Sequence, residues 1–174
     1  MSLTYNCLFA GPSPGLHQIL DQLVDEHLDE ILDPLTDDSY FYFYESNGNF
    51  YLCYNDESEP DKPEESKPIL LIYPHSKTEM YELALGEFKA ESSWYIDTNN
   101  SRGMAIADQA LARLLHSVLK QYVGDLVSLF NGAQIILYRT GERVYLDKYS
   151  DIAQEPMISL LGLKEHELRD YKVV

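Results

Sequence analysis

Two aromatic runs separated by Asn47-Gly48 constrain this chain more than any other feature. Ser39-Tyr40-Phe41-Tyr42-Phe43-Tyr44-Glu45-Ser46 and Asn49-Phe50-Tyr51-Leu52-Cys53-Tyr54 are rich in strand-favouring side chains. Asn-Gly tolerates the positive φ that both central residues of a tight hairpin turn require. A two-residue turn there sets Phe43 opposite Leu52 and Phe41 opposite Tyr54 on one face. The other face then holds Tyr40, Tyr42, Tyr44, Tyr51 and Cys53. The Phe/Leu side is the natural core side. The tyrosine side either packs beneath another element or lies partly exposed, where an apolar ring with a polar tip suits recognition.

Before the hairpin, apolar residues recur at Leu16, Ile19, Leu20, Leu23, Val24, Leu28, Ile31 and Leu32. That spacing predicts a helix over 15–33, ended by Pro34. Its outer face is acidic, with Asp21, Asp25 and Asp29 on one row and Gln22, Glu26 and Glu30 on the next. Like charges four residues apart each cost about 0.2–0.5 kcal/mol. That cost has a reason if the face meets a basic partner; a merely solvated face is the plainer reading.

After the hairpin, residues 55–67 are acidic and proline-containing with no apolar side chain, which predicts a mobile loop. The run 68–74 reads as a buried strand between prolines; 78–96 is ambiguous, with 79–85 fitting helix or strand and 92–96 reading more as strand. Residues 102–130 carry a second helical stripe, from Met104 through Leu115 to Leu129, with a bend expected at Gly124 and an end at Asn131-Gly132. A second hairpin follows, 134–139 and 142–147 around Thr140-Gly141, with Ile135, Leu137, Val144 and Leu146 on its core face. The tail predicts short helical turns over 150–163 and a helix over 164–171, where charges alternate in sign. These elements predict one α+β domain over 1–174, an antiparallel sheet of two hairpins and further strands, packed by a long core helix and an acidic N-terminal helix.

Charge is distributed very unevenly along the chain. Residues 1–61 hold thirteen Asp or Glu and no Lys or Arg, while the other sixteen acids share residues 62–174 with all thirteen bases. Such a field repels phosphate backbones and anionic lipid, so direct nucleic-acid or membrane binding is not expected. It would speed encounter with a basic protein. No stretch approaches the roughly 18 apolar residues of a membrane span, and the start, Met1-Ser2-Leu3-Thr4, lacks a basic region before an apolar run. With Cys7 and Cys53 read as reduced thiols, the expected location is the cytoplasm.

No phosphate-binding loop, dinucleotide fingerprint, nucleophile elbow, zinc-protease helix or calcium loop is present. His17, His27, His75, His116 and His166 are scattered. An enzyme or small-ligand domain would have to assemble its site from distant residues, with His75, His116 and Cys53 the nearest to suitable. Asp56, Glu57, Glu59 and Asp61 lack the turn glycine of a calcium site, and neither metal nor cofactor is expected. By architecture alone, small acidic α+β proteins of this kind are similar to immunity proteins, secretion chaperones and inhibitors of nucleic-acid enzymes. The expected function is therefore a non-enzymatic module that occludes a basic site on a partner protein, possible as a mimic of nucleic acid. Its expected contact residues are Asp21, Asp25, Glu26, Asp29, Glu30, Tyr40, Tyr42, Tyr44 and Tyr51.

Overall fold

The computed structural model describes residues 2–27, 40–55, 68–99 and 104–171. They form β1 (Ser2–Phe9), α1 (Leu16–Gln22), β2 (Tyr40–Ser46), β3 (Asn49–Asn55), β4 (Pro68–His75), β5 (Glu79–Leu83), β6 (Gly86–Ala90), β7 (Ser92–Asn99), α2 (Met104–Gln121), β8 (Leu126–Phe130), β9 (Gln134–Thr140), β10 (Arg143–Asp147), α3 (Met157–Leu161) and β11 (Glu167–Arg169). The architecture is mixed α+β, with a nine-stranded sheet in the order β11-β10-β9-β8-β1-β7-β4-β3-β2. Only β10 and β11 pair in parallel. Among the described residues no helix is long and apolar enough to cross a membrane.

β1 carries no turn signal of its own, yet it is the middle strand. Tyr5 lies opposite Ile96 of β7 on one side and Phe130 of β8 on the other. Both neighbours run antiparallel to β1 and so parallel to each other, which requires a crossover, and α2 supplies it. Tyr5, Cys7 and Phe9 face the helices, where they join Leu16, Ile19 and Leu20 of α1 and Leu111, Leu114 and Val118 of α2 in the main core. Phe9 meets Trp94 and Tyr122 edge-on, both at 5.0 Å between ring centres, geometry worth about 0.5–1.5 kcal/mol per pair beyond burial. On the opposite face Leu8, Val127, Leu129 and Ile135 form a second cluster under Phe88 and Ala90 of the β5–β6 hairpin.

The first hairpin turns at Asn47 (φ 52°) and Gly48 (φ 77°) and pairs Phe43 with Leu52 and Phe41 with Tyr54. The stretch 78–96, ambiguous between helix and strand, is β5, β6 and the start of β7. Elsewhere the sequence expectations need correction. The helix expected over 102–130 stops at Gln121, and Leu126–Phe130 is a strand between β1 and β9. The reason is Arg139, a buried residue of β9 that donates to the carbonyls of Leu119 (2.7 Å), Tyr122 and Gly124 (2.7 Å), the acceptors a helix end leaves unpaired. Asn131 and Gly132 serve the β8–β9 turn instead of a helix end. In the second hairpin Thr140 pairs with Arg143, so the turn is Gly141-Glu142, with Gly141 at φ 59°. A register shift against Ser128 and Leu129 moves Ile135 to the second cluster, away from Leu137, Val144 and Leu146. Where a helix was expected over 164–171, Glu167–Arg169 is an edge strand on β10, with the Arg169 guanidinium 4.2 Å over the Tyr145 ring. That segment has no apolar stripe to hold a helix to the core. At the other end α1 gives way after Gln22 to a π-helical turn, Leu23–His27, and the rest of the span 15–33 lies outside the described residues.

Arg139→Met keeps the aliphatic stem but leaves three carbonyls without their donor. Urea unfolding is expected to show a loss of about 2–4 kcal/mol, against under about 0.5 kcal/mol for Arg143→Met on an exposed site.

Candidate recognition surface

Because side chains alternate along a strand, the residues between the core positions of β1, β2, β3, β4 and β7 share one face. The β5–β6 hairpin covers one end of that face. The remainder is a tyrosine surface. Tyr44 and Tyr51 stack at 4.9 Å with their planes 13° apart, and Tyr73 and Tyr95 meet at 6.0 Å. Tyr44 is 38% exposed and Tyr95 39%, so neither is covered as a core ring would be. Tyr42, Tyr51 and Tyr73 are half-buried. At the β1 end, Thr4 donates to Asp97 Oδ1 at 2.9 Å, and Tyr95 lies at a long 3.5 Å from the Thr4 hydroxyl. Asn6, opposite Tyr95, keeps a buried side-chain oxygen with no hydrogen-bond partner among the described residues.

Partial burial raises the Tyr44 phenol, with Cys53 and Tyr51 adding to the effect, and raises Tyr73, with Asp97, Tyr51 and Tyr95 adding. Both rings therefore remain neutral at physiological pH, each with one hydroxyl proton to donate. Not one Lys or Arg occurs on β1, β2, β3, β4, β7 or β8; the sheet's basic residues lie on β9, β10 and β11 and on β6 of the small hairpin. Aromatic faces and a carboxylate, on strands that carry no Lys or Arg, are matched chemically to Arg and Lys.

The structure separates the two groups of expected contact residues. Asp21 is exposed on α1 and Asp25 on the turn that follows, whereas Glu26 is placed there by its backbone alone. Asp29 and Glu30 lie outside the described residues, as do Asp56, Glu57, Glu59 and Asp61. α1 packs on the Phe side of the sheet, with His17 5.2 Å from Phe43. Tyr42, Tyr44 and Tyr51 face the other way, and Tyr40, placed by its backbone, has their parity on β2. α1, with Asp21, and the tyrosines thus flank the sheet on opposite faces. Tyr73 and Tyr95, which complete the surface, come from strands separated in sequence by the β5–β6 hairpin. The signal for them was the alternation in Leu71-Ile72-Tyr73 and Trp94-Tyr95-Ile96.

His75, His116 and Cys53 do not assemble. Cys53 pairs with Pro68 at one end of β4 and His75 ends the other, about 23 Å apart along an extended strand. His116 is on α2, behind the sheet, with Nδ1 2.8 Å from the Leu161 carbonyl. Burial pushes the Cys53 thiol up to about 11, against a lowering hydrogen bond from Tyr42, and Cys7 up to about 12. A raised thiol pKa means less thiolate at a given pH, about one part in a thousand for Cys53 at pH 8. Ellman's reagent is accordingly expected to leave both cysteines unmodified in the folded protein at pH 8 and to titrate both in guanidinium chloride.

Among the described residues, no three His, Cys, Asp or Glu side chains gather to hold a metal. Comparisons with protein-family models, with curated proteins and with solved structures find no match to this chain.

Proposed function

We propose that this protein is a non-enzymatic binding module that occludes a basic site on a partner protein in the cytoplasm, in the manner of an inhibitor or immunity protein. The observation that carries this reading is the tyrosine surface of Tyr44, Tyr51, Tyr73 and Tyr95 on strands without Lys or Arg, with Asp97 at its edge. Tyrosine anchors contribute disproportionately to binding, and their rings accept Arg or Lys face-on. Asp21 on α1 and Asp25 on the turn that follows steer the partner from a distance and do not share the contact face. Two buried thiols and no disulfide among the described residues agree with a reducing compartment.

The test is capture from a lysate of the source cells with tagged protein, washed at low and at high salt. One stoichiometric basic partner is expected, released as salt rises. With that partner in hand, Tyr51→Ala with Tyr73→Ala should weaken binding by about 2–4 kcal/mol, seen mainly as faster dissociation. Asp21→Lys with Asp25→Lys should slow association and leave dissociation unchanged. Full binding by the double tyrosine variant would remove this surface from the interface.

A further inference from the structure

A second site lies on the helical side of the sheet. Between β1, β8, β9 and the segment leading into α3 is a cavity of about 120 Å³, close to the roughly 150 Å³ that accommodates a six-carbon ring. Tyr5, Phe130, Ile136 and Met157 form its walls, and the exposed Tyr149 and Asp151 stand at its rim. Tyr5 and Phe130 pack at 5.3 Å and 50°. Tyr5 is only 8% exposed and lines the cavity.

The charge around this cavity is unbalanced. Asp108 of α2 lies near enough to Tyr5 and Asp151 to act on both. Neither carboxylate makes an ion pair or a side-chain hydrogen bond among the described residues. Burial first, and Asp151 second, raise the Asp108 carboxyl above its usual range; burial and both carboxylates raise the Tyr5 phenol. Two acids with no ion pair among the described residues, beside aromatic walls, favour a bound cation. An ammonium is already accommodated at the rim, where Lys148 Nζ lies 4.7 Å over the Tyr149 ring and 3.4 Å from Asp170.

We infer that this cavity is a binding site for a small alkylammonium group, with the rings of Tyr5, Phe130 and Tyr149 around the cation and Asp151 and Asp108 supplying its counter-charge. The group is either a free amine or the side-chain end of a partner's lysine, which share this chemistry. The site is on the opposite face from the tyrosine surface and does not depend on it.

The test is a titration of the isotope-labelled full chain, following backbone amide shifts of Tyr5, Gln134 and Asp151, with three probes: tetramethylammonium, n-butylammonium and uncharged tert-butanol. Saturable shifts are expected with a cation and at least about fivefold weaker ones with tert-butanol. Preference for tetramethylammonium assigns the site to a quaternary amine, and preference for n-butylammonium to a lysine side chain. Asp151→Asn should lower affinity about fivefold to tenfold. Asp108→Asn should lower it similarly while raising the melting temperature. The sign follows from the raised Asp108 carboxyl: the folded state holds that proton more tightly than the unfolded chain, so ionisation at neutral pH works against folding. Tyr51→Ala with Tyr73→Ala should leave cation binding intact, which separates this site from the tyrosine surface. No saturable shift up to about 50 mM of either cation, an equal response to tert-butanol, or unchanged affinity in Asp151→Asn overturns the proposal.

Discussion

One buried cation organises the junction between the helical layer and the sheet. Arg139 reaches from β9 to the carbonyls at the end of α2, so the helix must stop where those carbonyls are taken. The Tyr122 ring lies 5.6 Å from the guanidinium, and its hydroxyl accepts the Gly11 amide at 2.8 Å. A Cβ at Gly124 would run into the Tyr122 ring and hydroxyl, so any larger residue there displaces that ring. Asp125, one residue on, accepts from the Gly141 amide at 3.0 Å and so holds the β9–β10 turn. The exit of β1, the end of α2, the start of β8 and the second hairpin are thereby fixed to one another by a few polar contacts inside an apolar setting. The Arg139 contacts are the strong ones, because the alternative is a desolvated guanidinium left alone.

With that junction set, the sheet divides by parity and by charge. Along β2 and β3 the phenylalanines, Leu52 and Tyr54 look toward the helical side, and Tyr42, Tyr44 and Tyr51 look away. Across the sheet, β9 to β11 hold its basic residues and the strands from β8 to β2 hold none. The fold therefore sets Asp21 and Asp25 on the helical side of the sheet and the exposed tyrosines on the other.

How much of this could be read from the residues depended on whether one local rule had a rival. Asn47-Gly48 had none, and the register of β2 against β3 followed from it. Leu126 and Leu129 continue the helical stripe of α2 as readily as they alternate in a strand, and nothing local announced that an arginine thirteen residues past Leu126 would end the helix. Alternating charges after Lys164 fit a solvated helix or an edge strand equally. The tyrosines of the first hairpin were legible as a face. Tyr73 and Tyr95 were not legible as its continuation, because only the register across β3, β4 and β7 brings them together. The aromatic cavity was out of reach for the same reason: Tyr5 and Asp151 come from opposite ends of the chain.

The position of β1 has a consequence for how the protein comes into being. Its two partners are β7, some ninety residues later, and β8, later still, with Ser2 opposite Asn99 and Tyr5 opposite Phe130. On the ribosome the first described strand emerges long before either neighbour exists. Its alternate apolar side chains, Leu3, Tyr5, Cys7 and Phe9, must wait in solvent or in a chaperone's grip until residue 130 has left the exit tunnel. Pairings of such separation in sequence form slowly by the measure of contact order, so the middle of this sheet is its kinetically costly part.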